Sequence, residues 1–487
     1  MSITATYEMH ARHFPDKIAI QTADESLSYR NWYQLICQTA NWLASLQRAN
    51  NIVGVYMQNG LPFLQLFSAA SEAGLVIVPF DIKWTTAEIK KRIILSQPSI
   101  IITMKDQFEK LKELDLNVMV WEECLVEINR MPLHRETEIK REMPFYMGFT
   151  SGSTGEPKAF IRSHGSWVQS FACTQFDFHI NKNDHVLIPG SLIHSHFLFG
   201  AISTLYFGGS VYLLSKFSPV QSLEFIETKP ITVIYVVPTM LEAFLKEGCQ
   251  SNKELKIISS GAKWEEITKQ RIMEMFPNSY MYEFYGASEL SFVTVLPDDD
   301  SKRKPGSVGK PCHNVEIQIR TSTGVVAEKN EIGKIYVRSK MLFSGYLQAG
   351  MSGIQPIQTE DGWMTVDDMG YVDAEGFLYI IGREKNMILY GGINIYAEEV
   401  ETVLASHPDV DAAAVVGTSD PYWGQVVSAV IQGSATKAEL RKLCKMKLAA
   451  YKIPRKWYFL NEIPLTTSGK IARPKIIEML ERKVQDD

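Results

Sequence analysis

The sequence predicts an α/β protein in which a large N-terminal domain of α/β subdomains with a β-rich subregion precedes a small α+β domain. Three observations predict it. Short runs rich in β-branched residues alternate with helical stretches as far as about Pro219, the pattern becomes strand-dominated after Lys304, and a charged, poorly apolar break, GREKN, ends at Asn386. Beyond that break lies a stretch of roughly one hundred residues, enough for a compact domain of its own.

Taken in order, IVGVYM, LVIVPF, SIIITM, DHVLIP and SVYLL read as strands, and FLQLFSAASEAG, between the first two, reads as a crossover helix. The alternation continues through ITVIYVVP, LKIISSG and SYMYEFYG. VEIQIR and GKIYVRS, set among glycine-rich turns, mark the β-rich subregion, and Asp367 to Gly382 reads as strand, DAEG turn and strand. The domain boundary is placed at Lys385, giving domains 1–384 and 385–487. After it come a glycine turn, a helix from Ala397 to Ser406, strands at AAAVVG and VVSAVI, and a lysine-rich helix from Lys437 to Lys447.

At 487 residues the chain is longer than one hydrophobic core usually serves. A formal net charge of −5, with both signs interspersed, gives no electrostatic ground for a nucleic-acid partner. Its 6 cysteines are scattered, without a CxxC pair or a Cys/His cluster at metal-ligand spacing, and read as free thiols of a reducing compartment. The most apolar stretch, Gly60 to Phe80, is broken by Gln65, Ser68, Ser71 and Glu72, and the first residues hold no apolar run of signal length. A cytoplasmic protein without a membrane span is expected.

After the strand PFYMGF comes TSGSTGEPK, Thr150 to Lys158, with six small hydroxyl or glycine residues in a row. Glycines let backbone amides turn inward, hydroxyls add donors and the lysine adds a point charge, a combination suited to a phosphate chain. A solvated linker has a similar composition. The spacing is neither that of a Walker loop nor of a GxGxxG dinucleotide turn.

Four more motifs follow in order: SSGA at Ser259, YGASE at Tyr285, the block DGWMTVDDMGYVDAEGFLYIIGREKNMILYGGINIYAEEVE from Asp361, and IPLTTSGK from Ile463. With the loop, they resemble the adenylate-forming superfamily of acyl- and aryl-CoA synthetases, luciferase and amino-acid adenylation domains, most of all a bacterial-type acyl-CoA synthetase. The resemblance spans essentially the whole chain. It implies a mobile C-terminal domain with the active site between it and the large domain, ATP and Mg2+ as cofactors, CoA as co-substrate, and an acyl-adenylate intermediate.

Residue by residue, the resemblance implies that Thr150 faces magnesium and that Ser151, Gly152, Ser153, Thr154, Gly155 and Lys158 hold the phosphates. Glu289 would be the second magnesium contact, and a hydroxyl with a carboxylate suits a hard cation. Tyr285 would stack on adenine, with Gly261 and Ala262 on the other side and Gly286 and Ser288 completing the nucleotide wall. Asp368, helped by Arg383, would accept from the ribose hydroxyls. Lys470 would bridge the substrate carboxylate and the ribose-phosphate region, Lys385 would be the hinge, and Gly392 would open the pantetheine tunnel. Alone, each has an ordinary reading: surface carboxylate for Glu289, core ring for Tyr285, helix or turn cap for Asp368, solvated lysine for Lys470, tight turn for Gly392.

Four positions depart from the family pattern. Ser288 stands in place of a common Thr, Asp367 of a glycine, Asn386 of an acid and Ala397 of a proline. PGSLIHSHFLFG resembles the acyl-pocket segment, with His194 at the common histidine and Phe199 nearby; Val237, Gly261, Gly286 and Ser291 would complete the pocket. The segment contains no acid, which favours an uncharged fatty or aromatic substrate over an amino acid. A histidine in an apolar segment is more often a packed core residue, so His194 is a pocket candidate and not a proposed base.

The expected activity is therefore ATP-dependent acid:CoA ligation, with a place in fatty acid metabolism. An acyl-AMP ligase serving an acyl carrier protein is the alternative among enzymes, and a non-catalytic nucleotide-binding protein is the alternative outside them. The short run from Tyr346 to Trp363 leaves no room for the insertion typical of fatty-acyl-AMP ligases.

Overall fold

The structure is a computed structural model. It describes residues 1–487 except 113, 115, 137, 152–156, 249, 261–265, 348–352, 357–360, 391–392, 421, 467–469 and 486–487. The chain packs as two compact units. Unit 1 comprises Met1–Thr150, Pro157–Glu316 and Arg338–Met364, and unit 2 comprises Ser151–Glu156, Ile317–Val337 and Thr365–Asp487. The mixed α/β architecture with a large N-terminal and a small C-terminal domain is as the sequence predicts.

Unit 1 is built on two sheets. The larger has, among the described residues, nine strands in the order Lys310–Pro311, Ser291–Pro297, Tyr280–Ala287, Lys256–Ser259, Val233–Val236, His185–Ile188, Ser210–Leu213, Ile18–Gln21, Ser26–Ser28. Its middle is parallel, and both edges are antiparallel. Strands such as VIYV and SVYL are buried along their whole length, as expected when helices cover both faces of a parallel sheet. Under one face, Ile234, Ile257, Ile272, Phe244 and Phe276 form a core with Leu241 and Ile226.

The second sheet runs Gly345–Leu347, Pro157–Ser163, Pro144–Ser151, Val76–Pro79, Ile52–Tyr56, Ile100–Thr103, Val118–Val120. Proline starts the helices Leu61–Glu72, Pro219–Thr228 and Pro238–Glu247, where a missing N–H removes no helical bond.

Unit 2 also has two sheets. Glu316–Arg320, Gly333–Arg338, Asp368–Val372 and Leu378–Arg383 form the first. In the second, Gly424–Gly433 lies between Met387–Tyr390 and Val410–Asp420 and also pairs with Lys456–Phe459. The expected helices form at Ala397–Ala405 and Lys437–Lys447, the latter started by a capping box between Thr436 and Glu439. The expected boundary at Lys385 falls in the 3-10 turn Glu384–Asn386, inside unit 2. No helix among the described residues is long and apolar enough to cross a membrane.

Candidate active site

In unit 1 the strand Pro144–Ser151 carries Thr150, half-buried, to the start of the glycine-serine loop, and Lys158 is the second residue of the neighbouring strand Pro157–Ser163. Gly148 is required beneath the loop, because a Cβ there would lie 2.3 Å from the Phe160 ring. Gly152, Ser153, Thr154 and Gly155 lie outside the described residues, as do Gly261, Ala262 and Gly392; Ser151 is described only as the end of its strand.

YGASE forms the end of the strand Tyr280–Ala287 and the tip of an antiparallel hairpin with Ser291–Pro297. The register slips between Tyr285 and Gly286, and Gly286 comes so close to the returning strand that a Cβ would lie 2.2 Å from the Ser291 carbonyl oxygen. Ser291 itself adopts a left-handed φ of 63°. This tight tip turns Glu289 inward, to 9% exposure. Its carbonyl accepts from Phe343 N at 2.9 Å, and its carboxylate accepts from the Tyr346 hydroxyl. Lys158 Nζ lies 5.4 Å from the centre of the same Tyr346 ring. The structure thus brings Lys158 and Glu289 to one tyrosine. The hydroxyl of Ser260, of SSGA, donates to the Phe284 carbonyl at 3.1 Å and ties that motif to the segment entering Tyr285.

Of the residues expected at the acyl pocket, His194 and Val237 follow the carboxyl ends of the parallel strands His185–Ile188 and Val233–Val236, where open α/β sheets bind ligands. His194 precedes the helix Ser195–Phe207 with part of its ring exposed. Val237 precedes the helix Pro238–Glu247. Phe199 is buried among Trp167, Phe171 and Phe292, with ring centroids 5.0 to 5.4 Å apart. His196, which the sequence reading passed over, is the more enclosed histidine. Its Nε2 donates to the Val236 carbonyl at 3.0 Å, its ring lies against Phe197, Tyr235 and Phe284, and desolvation lowers its pKa to about 4. A carbonyl only accepts, so the proton sits on Nε2; Nδ1 has no hydrogen-bond partner among the described residues.

Unit 2 brings together Asp368 and Arg383. They face each other across an antiparallel pair, Arg383 Nε donates to Asp368 Oδ1 at 3.0 Å, and Asp368 is 5% exposed. Asp367 has a φ of 64°, which explains why glycine is common at that position; here Lys334 reaches Asp367 at 3.3 Å and Glu384 at 2.6 Å. Lys385 is exposed in the turn Glu384–Asn386. Asn386 donates to Glu398 Oε1 at 2.5 Å, a contact that the usual acid could not make. Ala397 opens its helix at the place where proline is favoured. Lys470 is exposed, its N–H donating to Thr466 Oγ1 at 3.1 Å, while Thr466 N donates to the Lys470 carbonyl at 2.6 Å.

Residues 7–347 match the model of the AMP-binding enzymes, and residues 399–470 match that of the AMP-binding enzyme C-terminal domain. The chain belongs to the AMP-binding enzyme family. Among members of this family, it is 49% identical over 485 residues, all of both chains, to the uncharacterised acyl-CoA ligase YhfT of Bacillus subtilis (strain 168). It is 30% identical to the 2-succinylbenzoate-CoA ligase of Bacillus cytotoxicus, covering 96% of this chain and 97% of that one. The structure of o-succinylbenzoate CoA synthetase from Bacillus subtilis in complex with the acyl-adenylate OSB-AMP matches with a TM-score of 0.87 at 27% identity, over 96% and 97% of the two chains. The same protein has been solved with ATP and magnesium ion.

Within this AMP-binding enzyme, the sequence reading missed Arg162 and Tyr346. A signal for the first existed: an arginine inside the run AFIRS, where Ala159 to Arg162 are all buried. Tyr346 carries no such signal, since its partner is 57 residues away.

Proposed function

We propose that this chain activates an uncharged fatty or aromatic carboxylic acid with ATP and transfers the acyl group to CoA, releasing AMP and pyrophosphate. The enzyme is an AMP-forming acid:CoA ligase of the acyl-CoA synthetase kind. The observation that carries the reading is the meeting of Lys158 and Glu289 at Tyr346, which sets a cation suited to phosphate and a hard oxygen donor at one tyrosine.

The donor set fits magnesium carried in on a nucleotide. Among the described residues no group of three or more His, Cys, Asp or Glu is arranged to hold a metal, so a cation here draws most of its ligands from phosphate oxygens and water, with Thr150 and Glu289 as the protein's share. Magnesium, when bound, neutralises phosphate charge. Thr150 to Thr154, Gly155 and Lys158 hold the β- and γ-phosphates. Tyr285, with Gly261, Ala262, Gly286 and Ser288, forms the adenine site. Asp368 accepts from the ribose hydroxyls, and Arg383 fixes the rotamer in which it does so. Lys470 supplies the ammonium that offsets the repulsion as a carboxylate oxygen attacks the α-phosphorus and the bond to pyrophosphate breaks.

In the second step the CoA sulfur attacks the acyl carbonyl and AMP leaves. Residues 385–487 are read as the lid domain that carries Lys470, with Lys385 as hinge and Gly392 at the pantetheine tunnel. The acyl wall is His194, Phe199, Val237, Gly261, Gly286 and Ser291, and its aromatic lining, without an acid in the segment Pro189 to Gly200, supports a neutral acyl group. A reducing, cytoplasmic setting and a role in fatty acid metabolism accord with this chemistry.

The test is a panel of fatty and aromatic acids, each assayed for pyrophosphate exchange and for AMP release with and without CoA. Exchange with at least one acid and AMP release that depends on CoA are expected. No exchange with any acid would overturn the catalytic reading; exchange without a CoA effect would transfer the acceptor role to a carrier protein.

A further inference from the structure

We infer that Arg162 and Tyr346 are positioning residues that hold the Glu289 carboxylate in place for the metal-nucleotide, an inference that rests on the reading of Glu289 as a magnesium contact. Arg162 lies four residues beyond Lys158 on the strand Pro157–Ser163 and is 2% exposed. Its guanidinium forks between two carbonyls, Nη1 donating to Ser288 O at 2.8 Å and Nη2 to Met341 O at 2.6 Å, while Nε donates to Ser166 Oγ at 3.2 Å. Ser288 is the residue before Glu289. The fork therefore fixes the hairpin tip from below and joins it to the segment that begins at Met341.

That segment returns to Glu289 twice. Phe343 N donates to the Glu289 carbonyl at 2.9 Å, and the Tyr346 hydroxyl donates to the Glu289 carboxylate. Tyr346 is itself held in register, because Gly345–Leu347 pairs antiparallel with the strand of Lys158 and Arg162, Tyr346 opposite Phe160. The Phe343 ring packs edge-on against it with centroids 4.8 Å apart. Arg162, Met341, Phe343, Glu289 and Ser288 thus close a ring of hydrogen bonds and chain, with Tyr346 setting the rotation of the carboxylate.

The choice of arginine follows from this geometry. A planar guanidinium donates in two fixed directions at once, which a lysine ammonium on a single stem cannot do. Burial pulls the Arg162 pKa down to about 10, with Glu289 acting in the opposite direction, so the guanidinium stays charged at neutral pH. Groups that orient a metal's ligand without touching the metal commonly matter about tenfold or more in metal affinity.

The experiment uses the full chain and four variants, Glu289→Gln, Tyr346→Phe, Arg162→Lys and Arg162→Met. Mg2+ is titrated at saturating ATP and read by calorimetry and by ligand-dependent thermal stabilisation, beside ATP binding without metal and the melting temperature without ligand. Tyr346→Phe, which loses only a hydroxyl, is expected to melt with the parent and to need about tenfold more Mg2+ for half-saturation, with metal-free ATP binding unchanged. Arg162→Met shifts the Mg2+ requirement in the same direction and also lowers the melting temperature; Arg162→Lys restores more of the melting temperature than of the metal affinity. If Glu289→Gln weakens Mg2+ binding while Tyr346→Phe and Arg162→Lys bind it as the parent does, the inference is overturned and the reading of Glu289 stands. If Glu289→Gln itself leaves Mg2+ binding unchanged, that reading fails and the inference falls with it.

Discussion

Unit 1 holds its principal carboxylate from several sides, whereas unit 2 presents its principal lysine to solvent. Glu289 is 9% exposed, on a hairpin tip fixed by a buried arginine, with a tyrosine on its carboxylate. Lys470 is exposed, its backbone N–H donating to Thr466 Oγ1 and its carbonyl accepting from Thr466 N. The difference accords with the roles proposed for the two groups. A ligand for a cation is most effective when its orientation cost is met in folding, and here the hairpin tip is fixed by Arg162 through the Ser288 carbonyl. An ammonium that acts on a developing charge needs only to be in position during the step.

The sharpest way to break this contrast is to remove each group. Lys470→Ala is expected to lower the adenylation rate by about 10²- to 10³-fold, the scale of a lost electrostatic contact in the transition state, and to leave the melting temperature and ATP affinity nearly as they were. Glu289→Ala should instead destabilise the fold by about 1 to 3 kcal/mol, because it removes the buried acceptor of the Tyr346 hydroxyl. Rapid-quench pyrophosphate release and denaturant unfolding read the two quantities. Equal loss of stability in both variants would end the comparison.

Acid sharpens the contrast, because two buried histidines of unit 1 and one buried carboxyl of unit 2 shift in opposite senses. In unit 1 desolvation lowers His164 to about 3 and His196 to about 4. A histidine whose folded pKa is depressed is protonated first in the unfolded chain, so stability falls as pH drops below about 6.5, by about 2 kcal/mol for each by pH 5. In unit 2 burial raises Glu401 to about 7, against the pull of Arg473 at 2.6 Å. A carboxyl raised in this way favours the protonated fold, so the same acidification from pH 7 to 5 adds about 2 kcal/mol. Pulse proteolysis with the cleavage sites assigned by mass spectrometry should show unit 1 opening more readily at pH 5 and unit 2 less, and Glu401→Gln should remove the gain in unit 2. A shift of both units in the same direction would contradict the assignment.

The smallest effect belongs to Asp367. Its φ of 64° favours glycine, yet its carboxylate meets Lys334, so Asp367→Gly should change unfolding free energy by less than about 1 kcal/mol as the strain relieved and the ion pair lost offset each other and unfolded-chain freedom rises. Chemical denaturation measures it. A loss of several kcal/mol would give the Lys334 pair a far larger part than an exposed ion pair commonly plays.

The strands of both units were legible because buried parallel strands appear as short, continuous β-branched runs closed by turn residues; VIYV and KIIS need no partner in sequence to be recognised. Candidate site residues could be nominated where chemistry and chain coincide, as in YGASE and in the run from Thr150 to Lys158. Arg162 was harder to find because its work is done through backbone carbonyls at Ser288 and Met341, 126 and 179 residues away, and a carbonyl leaves no trace in side-chain identity. His196 was missed for a different reason. Two histidines lie two residues apart at a helix start, and only packing decides that one ring turns into the aromatic cluster beside Phe284 while the other keeps an exposed edge.

The contact between Asn386 and Glu398 also bears on protein engineering. A relative with an acid at the position of Asn386, grafted segment by segment into this chain, would set two carboxylates where a donor and an acceptor now meet at 2.5 Å. Gly382 stands beside the same carboxylate, where an added Cβ would lie 2.4 Å from Glu398 Oε2. Positions 382, 386 and 398 therefore form one unit of exchange: a chimera has to take all three from the same parent.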